Sequence, residues 1–157
     1  MSGTAHGTVT EIWTSPMGRG PTVSHTEIEA IADAGLAGDR YARPDGSESK
    51  TSHGPDRQLT LIEQEQLDWL QATHDITLTG EASRRNLVTI GIGLNALVGK
   101  QFAIGGVTVQ GMRLCQPCKP LAEELGFAFV ELMLDRSGLN CRIISGGTIA
   151  VGDHVQP

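Results

Sequence analysis

The sequence predicts a mainly β protein, an antiparallel β-barrel decorated with a few short helices. Three observations lead there. Twenty glycines against 4% aromatic residues imply many tight turns and little stacking surface. Short apolar runs follow one another through the second half with glycine pairs between them, as in FAIGGVTV. No ten-residue crossover helix separates those runs, so successive strands are expected to return on themselves rather than run parallel.

In chain order, GTVTEIW at 7–13 alternates well enough for an opening strand, and SPMGRGP at 15–21 is a loop. The stretch VSHTEIEAIADAGLAGDRYA at 23–42 suits strand or helix; it is read as extended, ending in a turn around Gly38. Polar residues 43–57, RPDGSESKTSHGPDR, form a surface loop. In LTLIEQEQLDWLQATH at 59–74, Leu59, Ile62, Leu67 and Leu70 share roughly one helical face, which predicts a helix. Strand pieces broken by glycine fill 86–114, with Gly105 and Gly106 as a two-residue hairpin turn. CRIISGGTIAVGDHV at 141–155 repeats that device at Gly146 and Gly147 and turns again at Gly152 and Asp153.

No linker-like tract or charge block divides the 157 residues, and 39% hydrophobic content suffices for a core, so a single domain over 1–157 is expected. Without a run of about 18 apolar residues, or a basic segment followed by an apolar signal core, the expected location is cytoplasmic, with no membrane partner. A net charge of −6 disfavours a nucleic acid polymer as partner, because such binding requires a concentrated basic face. An anionic ligand would require the few arginines to be gathered locally.

Cys115 and Cys118 stand three apart in RLCQPCKPLAEELG, residues 113–126. A strand running into C-x-P-C-K and a helix is how a redox dithiol is presented, with the helix N-terminus favouring the thiolate. Only 39 residues follow Cys118, however, and their prolines are Pro120 and Pro157, so the rest of a thioredoxin-like fold lacks room. A structural zinc site requires four ligands, usually in two pairs, and one pair is present here. Two packed core thiols are a further alternative. Cys141, within LNCRII, is read as a core thiol.

Residues 84–126 and 137–153 together resemble the MOSC domain, named for the C-terminal domain of molybdenum cofactor sulfurase. The resemblance rests on R-x-N-hydrophobic-x-T-x-G from Arg84, L-x-G-x-x-F-x-I-G from Leu97, C-x-P-C-x-x-L from Cys115 and the closing G-G-x-hydrophobic-x-hydrophobic-G-D. GLAGDRY at 35–41 and GPDRQLTLIE at 54–63 are similar to further landmarks of the family, in the same order. It implies a β-barrel with short helices and binding of the molybdenum cofactor, a pyranopterin dithiolene bearing a phosphate. Alignment on the P-C step makes Cys118 the thiolate that ligates molybdenum and the catalytic cysteine, with Cys115 behind it.

A soft thiolate suits molybdenum already held by dithiolene sulfurs, and Lys119 would add positive charge beside Cys118. For the phosphate and the pterin edges, the resemblance points to Arg40, Arg57, Arg84 and Asn86, since the planar guanidinium fork matches phosphate. Asp39 is read as orienting Arg40, and Ser15 as a further contact to the cofactor. Arg85 is expected on the opposite side of a strand from Arg84; Trp13, Trp69 and Met112 are read as packing.

The function implied is an oxidoreductase that reduces small N-hydroxylated compounds. A flavin-binding glycine fingerprint and an iron–sulfur cysteine set are both missing from the sequence, so electrons are expected from a separate flavin or iron–sulfur reductase. The alternative is a non-catalytic carrier of the cofactor or its sulfur, with Cys115 beside Cys118 as a relay. Full sulfurases join this domain to a pyridoxal-phosphate-dependent desulfurase, which is the family's association with that cofactor.

Overall fold

GTVTEIWT forms the first strand of a computed structural model that describes residues 6–17, 20–42, 57–117, 123 and 126–157; a register shift between Val9 and Glu11 lets Val9 and Ile12, at odd spacing, both be buried while Thr8 and Glu11 stay partly exposed. Its strands are β1 (Gly7–Thr14), β2 (Val23–His25), β3 (Glu27–Ile31), β4 (Gly35–Leu36), β5 (Leu59–Glu63), β6 (Leu87–Ile90), β7 (Gln101–Ile104), β8 (Val107–Leu114), β9 (Leu139–Ser145), β10 (Gly147–Ala150) and β11 (His154–Gln156). Three short α-helices are present among the described residues: α1 (Gln64–His74), α2 (Gly80–Ser83) and α3 (Phe127–Leu132).

Seven strands close a barrel in the order β11-β7-β8-β9-β5-β6-β1, because β1 pairs back onto β11 at Gly7 and Thr8. Further along, the same side of β1 pairs with β2. A separate sheet has the order β10-β3-β4. Closure leaves the ring without an edge. The predicted mainly β barrel with short helices is the observed architecture; within 23–42 the chain is extended as expected at β2, β3 and β4 and turns at Gly38, but it also turns at 32–34 and ends in a 3-10 turn at Arg40–Ala42.

Period-two alternation divides the apolar residues between two cores. Leu59, Leu61, Leu87, Leu139, Cys141 and Ile143 point into the barrel, where they join Val9, Ile104, Val107 and Val109. Ile62 and Val88 point outward to a second core with Leu67 and Leu70 of α1 and Phe129 and Met133 at α3. Trp13 and Trp69 pack against this outer core, as packing residues. Among these, each fully buried Leu or Ile contributes about 1.5–3 kcal/mol of transfer free energy.

Three expectations are corrected. The predicted helix over 59–74 is β5 followed by α1: Leu59 and Leu61 face the barrel interior, an alternation of period two, and helical geometry begins at Gln64. One barrel pair, β5–β6, is parallel, and the chain between them runs through α1 and α2. Gly146 and Gly147 do not close a hairpin, because β9 pairs with β8 and β5 whereas β10 pairs with β3. At Gly146 a Cβ would lie 2.6 Å from the Ala30 carbonyl, so glycine lets the chain pass β3 as it leaves the barrel. The Gly105–Gly106 hairpin between β7 and β8 forms as predicted. At Gly138, with φ at 106°, a Cβ would collide with the carbonyl of Leu61, so this turn into β9 requires glycine.

Candidate functional site

Residues that point away from the barrel interior build a polar row on its outer wall. Thr60 of β5 is in register with Asn140 of β9, which is in register with Arg113 of β8. Residues directly opposite in neighbouring strands share a face, so the three side chains line up across three strands. Asn86, just ahead of β6, extends the row. Its Oδ1 accepts from the Thr60 N–H at 3.0 Å and from the Thr60 hydroxyl at 3.2 Å, that hydroxyl accepts from the Asn86 N–H at 3.0 Å, and Asn86 Nδ2 donates to the Trp13 carbonyl at 3.0 Å.

A β-bulge decides what occupies the end of this row. Gly111 opposes Cys141, but Arg113 opposes Asn140, so two steps along β8 match one along β9. Regular pairing would put Met112 opposite Asn140 and turn Arg113 inward beside Leu139. The bulge re-aims the strand and brings a guanidinium to the outer face.

Above the row lies a cavity of about 380 Å³. Arg40, Arg57, Arg84, Arg85 and Arg113 line it, with Asp39 as the one carboxylate among the described lining residues. Thr60, Asn86 and Asn140 are its polar floor, each at least nine-tenths buried. Arginine, in a chain of net charge −6, is therefore concentrated at one place.

One end of the cavity is organised by Ser15, which follows β1. The Ser15 N–H donates to Asp39 Oδ1 at 2.7 Å, the Arg40 N–H donates to the Ser15 carbonyl at 3.0 Å, and Arg84 Nη2 lies 3.4 Å from the Ser15 hydroxyl. Asp39, 1% exposed, thus positions the Ser15 turn that holds the Arg40 backbone. Arg84 also donates to the Gly20 carbonyl at 3.2 Å.

Another part of the cavity wall is formed where β8 stops. Cys115 Sγ donates to Asn140 Oδ1 at 3.1 Å, and its N–H donates to the Gly138 carbonyl at 2.8 Å. Arg85 clamps this segment by donating from Nε to the Ser137 carbonyl at 2.9 Å and from Nη2 to the Gln116 carbonyl at 3.1 Å. The Gln116 amide in turn exchanges hydrogen bonds with the side chain and N–H of Asp135. Both arms fix the chain just before Pro117.

Among the sequence-predicted residues, Arg40, Arg57, Arg84 and Asn86 meet in this cavity, and Cys115 lies at its wall. Cys118 and Lys119 fall outside the described residues, as does most of the polar loop at 43–57. Arg84 and Arg85 do not alternate across a strand. Arg84 caps α2 in the left-handed conformation, φ 60° and ψ 20°, and β6 begins only at Leu87, so both guanidiniums reach the cavity. Thr60, Arg113 and Asn140 were not anticipated, because strand register and the bulge bring them in. Cys141 is a core thiol as expected: burial pushes its pKa well up, and Cys115 adds to the rise.

The donor set suits a phosphorylated pterin carrying a thiophilic metal: guanidiniums for the phosphate, amides and hydroxyls for the heterocycle edges, and a thiol-bearing corner at one end. Its volume falls within the range of small-molecule pockets.

Comparison with known proteins adds three findings. A family model described as the MOSC domain matches residues 48–156. The YuaD protein of Bacillus subtilis has a similar structure, with a TM-score of 0.74 at 17% identity over 96% of this chain and 94% of that one. YiiM of Escherichia coli (TM-score 0.68, 20% identity, 96% of this chain and 68% of that one) and YiiM of Geobacillus stearothermophilus (0.66, 16%, 96% and 74%) share the fold. Comparison with curated proteins gives no match. No helix among the described residues is long and apolar enough to cross a membrane.

Proposed function

The chain belongs to the MOSC domain family, which binds molybdenum cofactor, and from that premise we propose that it is a molybdenum-dependent reductase of small N-hydroxylated compounds, fed by a separate flavin or iron–sulfur reductase. The observation that carries the reading is the cavity in which five arginines gather on the barrel wall beside the first cysteine of the C-x-P-C motif. Residues 1–157 act as one domain in this reading, supported by the way β5 and β6 contribute to both the barrel core and the outer core.

Arg40, Arg57 and Arg84 would hold the cofactor phosphate, Asn86 and Thr60 would keep the floor rigid, and Cys118 would supply the metal thiolate. Bound there, the cofactor would supply two-electron redox chemistry. The chain's own work is positional. Arg85 fixes the backbone that leads to Pro117 and Cys118, Ser15 and Asp39 fix Arg40, and the low exposure of the floor keeps water from its amides. In the reaction the N–O bond of a hydroxylamine breaks, two electrons and two protons enter, and amine and water leave.

Protein loaded with cofactor and given reduced methyl viologen should convert an aryl hydroxylamine to the amine, and Cys118→Ser should not. Loaded wild-type protein that reduces none of a panel of N-hydroxylated substrates, yet restores activity to a desulfo molybdoenzyme, would make the chain a carrier instead.

A further inference from the structure

We infer that Arg113 makes this site selective for substrates that carry an anionic group, such as a ring carboxylate, in the same molecule as the N-hydroxylated centre. The inference rests on the reductase reading above. Its basis is the placement of one charge. Arg113 reaches the cavity only because two residues of β8 oppose one of β9 between Gly111 and Arg113; regular pairing would offer Met112 there. The bulge thus replaces an apolar side chain with a guanidinium at the end of the Thr60–Asn140 row.

The position matters as much as the charge. Asn140, in register with Arg113, accepts the Cys115 thiol, so Arg113 stands at the cysteine end of the cavity. Ser15 contacts Arg40 and Arg84, two of the residues to which the proposed function gives the phosphate. A terminal phosphate carries about −1.5 to −2 near neutral pH, a charge that two or three guanidiniums match. Arg113 is exposed in the cavity wall, where an incoming molecule meets it. A cationic substrate would be repelled there, and an anionic one attracted and oriented by a fork that a carboxylate can engage in bidentate fashion.

The test compares an aryl hydroxylamine with its para-carboxylate on cofactor-loaded protein, with reduced methyl viologen as donor. Wild-type kcat/KM should favour the carboxylate at least tenfold, mainly through KM, and the preference should shrink as salt is raised. Arg113→Gln should abolish the preference, Arg113→Lys should retain part of it, and Arg142→Gln, at an exposed pair with Asp33, should leave it intact. Calorimetry gives a readout without turnover: 4-aminobenzoate should bind loaded wild-type protein at least tenfold tighter than aniline, and Arg113→Gln should lose that difference. Reduction of both substrates with equal kcat/KM would overturn the inference and leave the reductase reading standing. Reduction of neither would overturn the reductase reading, and equal binding of the two amines would then overturn the inference as well.

Discussion

Asn86 and Thr60 hold each other through three hydrogen bonds: the Thr60 hydroxyl accepts from the Asn86 N–H at 3.0 Å, and Asn86 Oδ1 accepts from the Thr60 N–H at 3.0 Å and hydroxyl at 3.2 Å. This exchange joins the turn after α2 to the start of β5 and fixes the floor of the cavity. Thr60→Val keeps the shape but removes the hydroxyl, leaving the buried Asn86 N–H without its acceptor. That should cost about 1–3 kcal/mol, and at roughly 2–4 °C per kcal/mol for a chain of this size the melting temperature should fall visibly. Thr60→Ser should restore most of it. A Thr60→Val variant that melts with the wild type would show that the exchange does not stabilise the fold.

What the sequence made legible follows from what is local. The Gly105–Gly106 turn could be read directly because a two-residue hairpin carries its own signature, and GLAGDRY and R-x-N marked Arg40, Arg84 and Asn86 through the family pattern. Strand register is not local. Arg113 and Asn140 are 27 positions apart and meet only because β8 and β9 pair with a bulge between them. The helix read over 59–74 began too early for a related reason: Leu59 and Ile62 fit a helical period, yet they belong to opposite faces of β5, one in each core. Arg84 and Arg85 were assigned to a strand where α2 ends in a left-handed cap.

Loss of a phosphate contact should appear as loss of cofactor rather than loss of fold. Arg57→Ala and Arg84→Ala should each weaken cofactor retention by roughly 1.5–3 kcal/mol, about ten- to hundredfold, while the cofactor-free proteins still fold and melt cooperatively. Molybdenum content after gel filtration and thermal melting check this together. Unchanged occupancy in both variants would move the phosphate elsewhere in the cavity.

Cys141 predicts an alkaline limit. Burial raises its folded-state pKa above the ordinary 9.0, so the folded protein binds this proton more tightly than the unfolded chain does. The resulting stability is complete below pH 9.0 and falls as pH rises above it, by at most about 1.4 kcal/mol per pH unit. Cys141→Ala should flatten that slope relative to wild type in urea melts between neutral and alkaline pH. Parallel slopes in the two proteins would contradict it.

Cys115 separates positioning from relay. A serine hydroxyl can donate to Asn140 Oδ1 as the thiol does, so Cys115→Ser should keep its molybdenum and much of its hydroxylamine reduction. Loss of the metal in this variant would assign Cys115 a ligand role.

The proposed function turns on Cys118 as the thiolate ligand of a molybdenum centre, and metal analysis tests it most directly. Protein expressed in a host that makes the cofactor should carry about one molybdenum per chain, Cys118→Ser should lose most of it, and Cys141→Ser should not, because soft thiolate ligation fixes the metal. Stoichiometric zinc with no molybdenum in the wild-type protein, or full molybdenum in Cys118→Ser, would contradict the account.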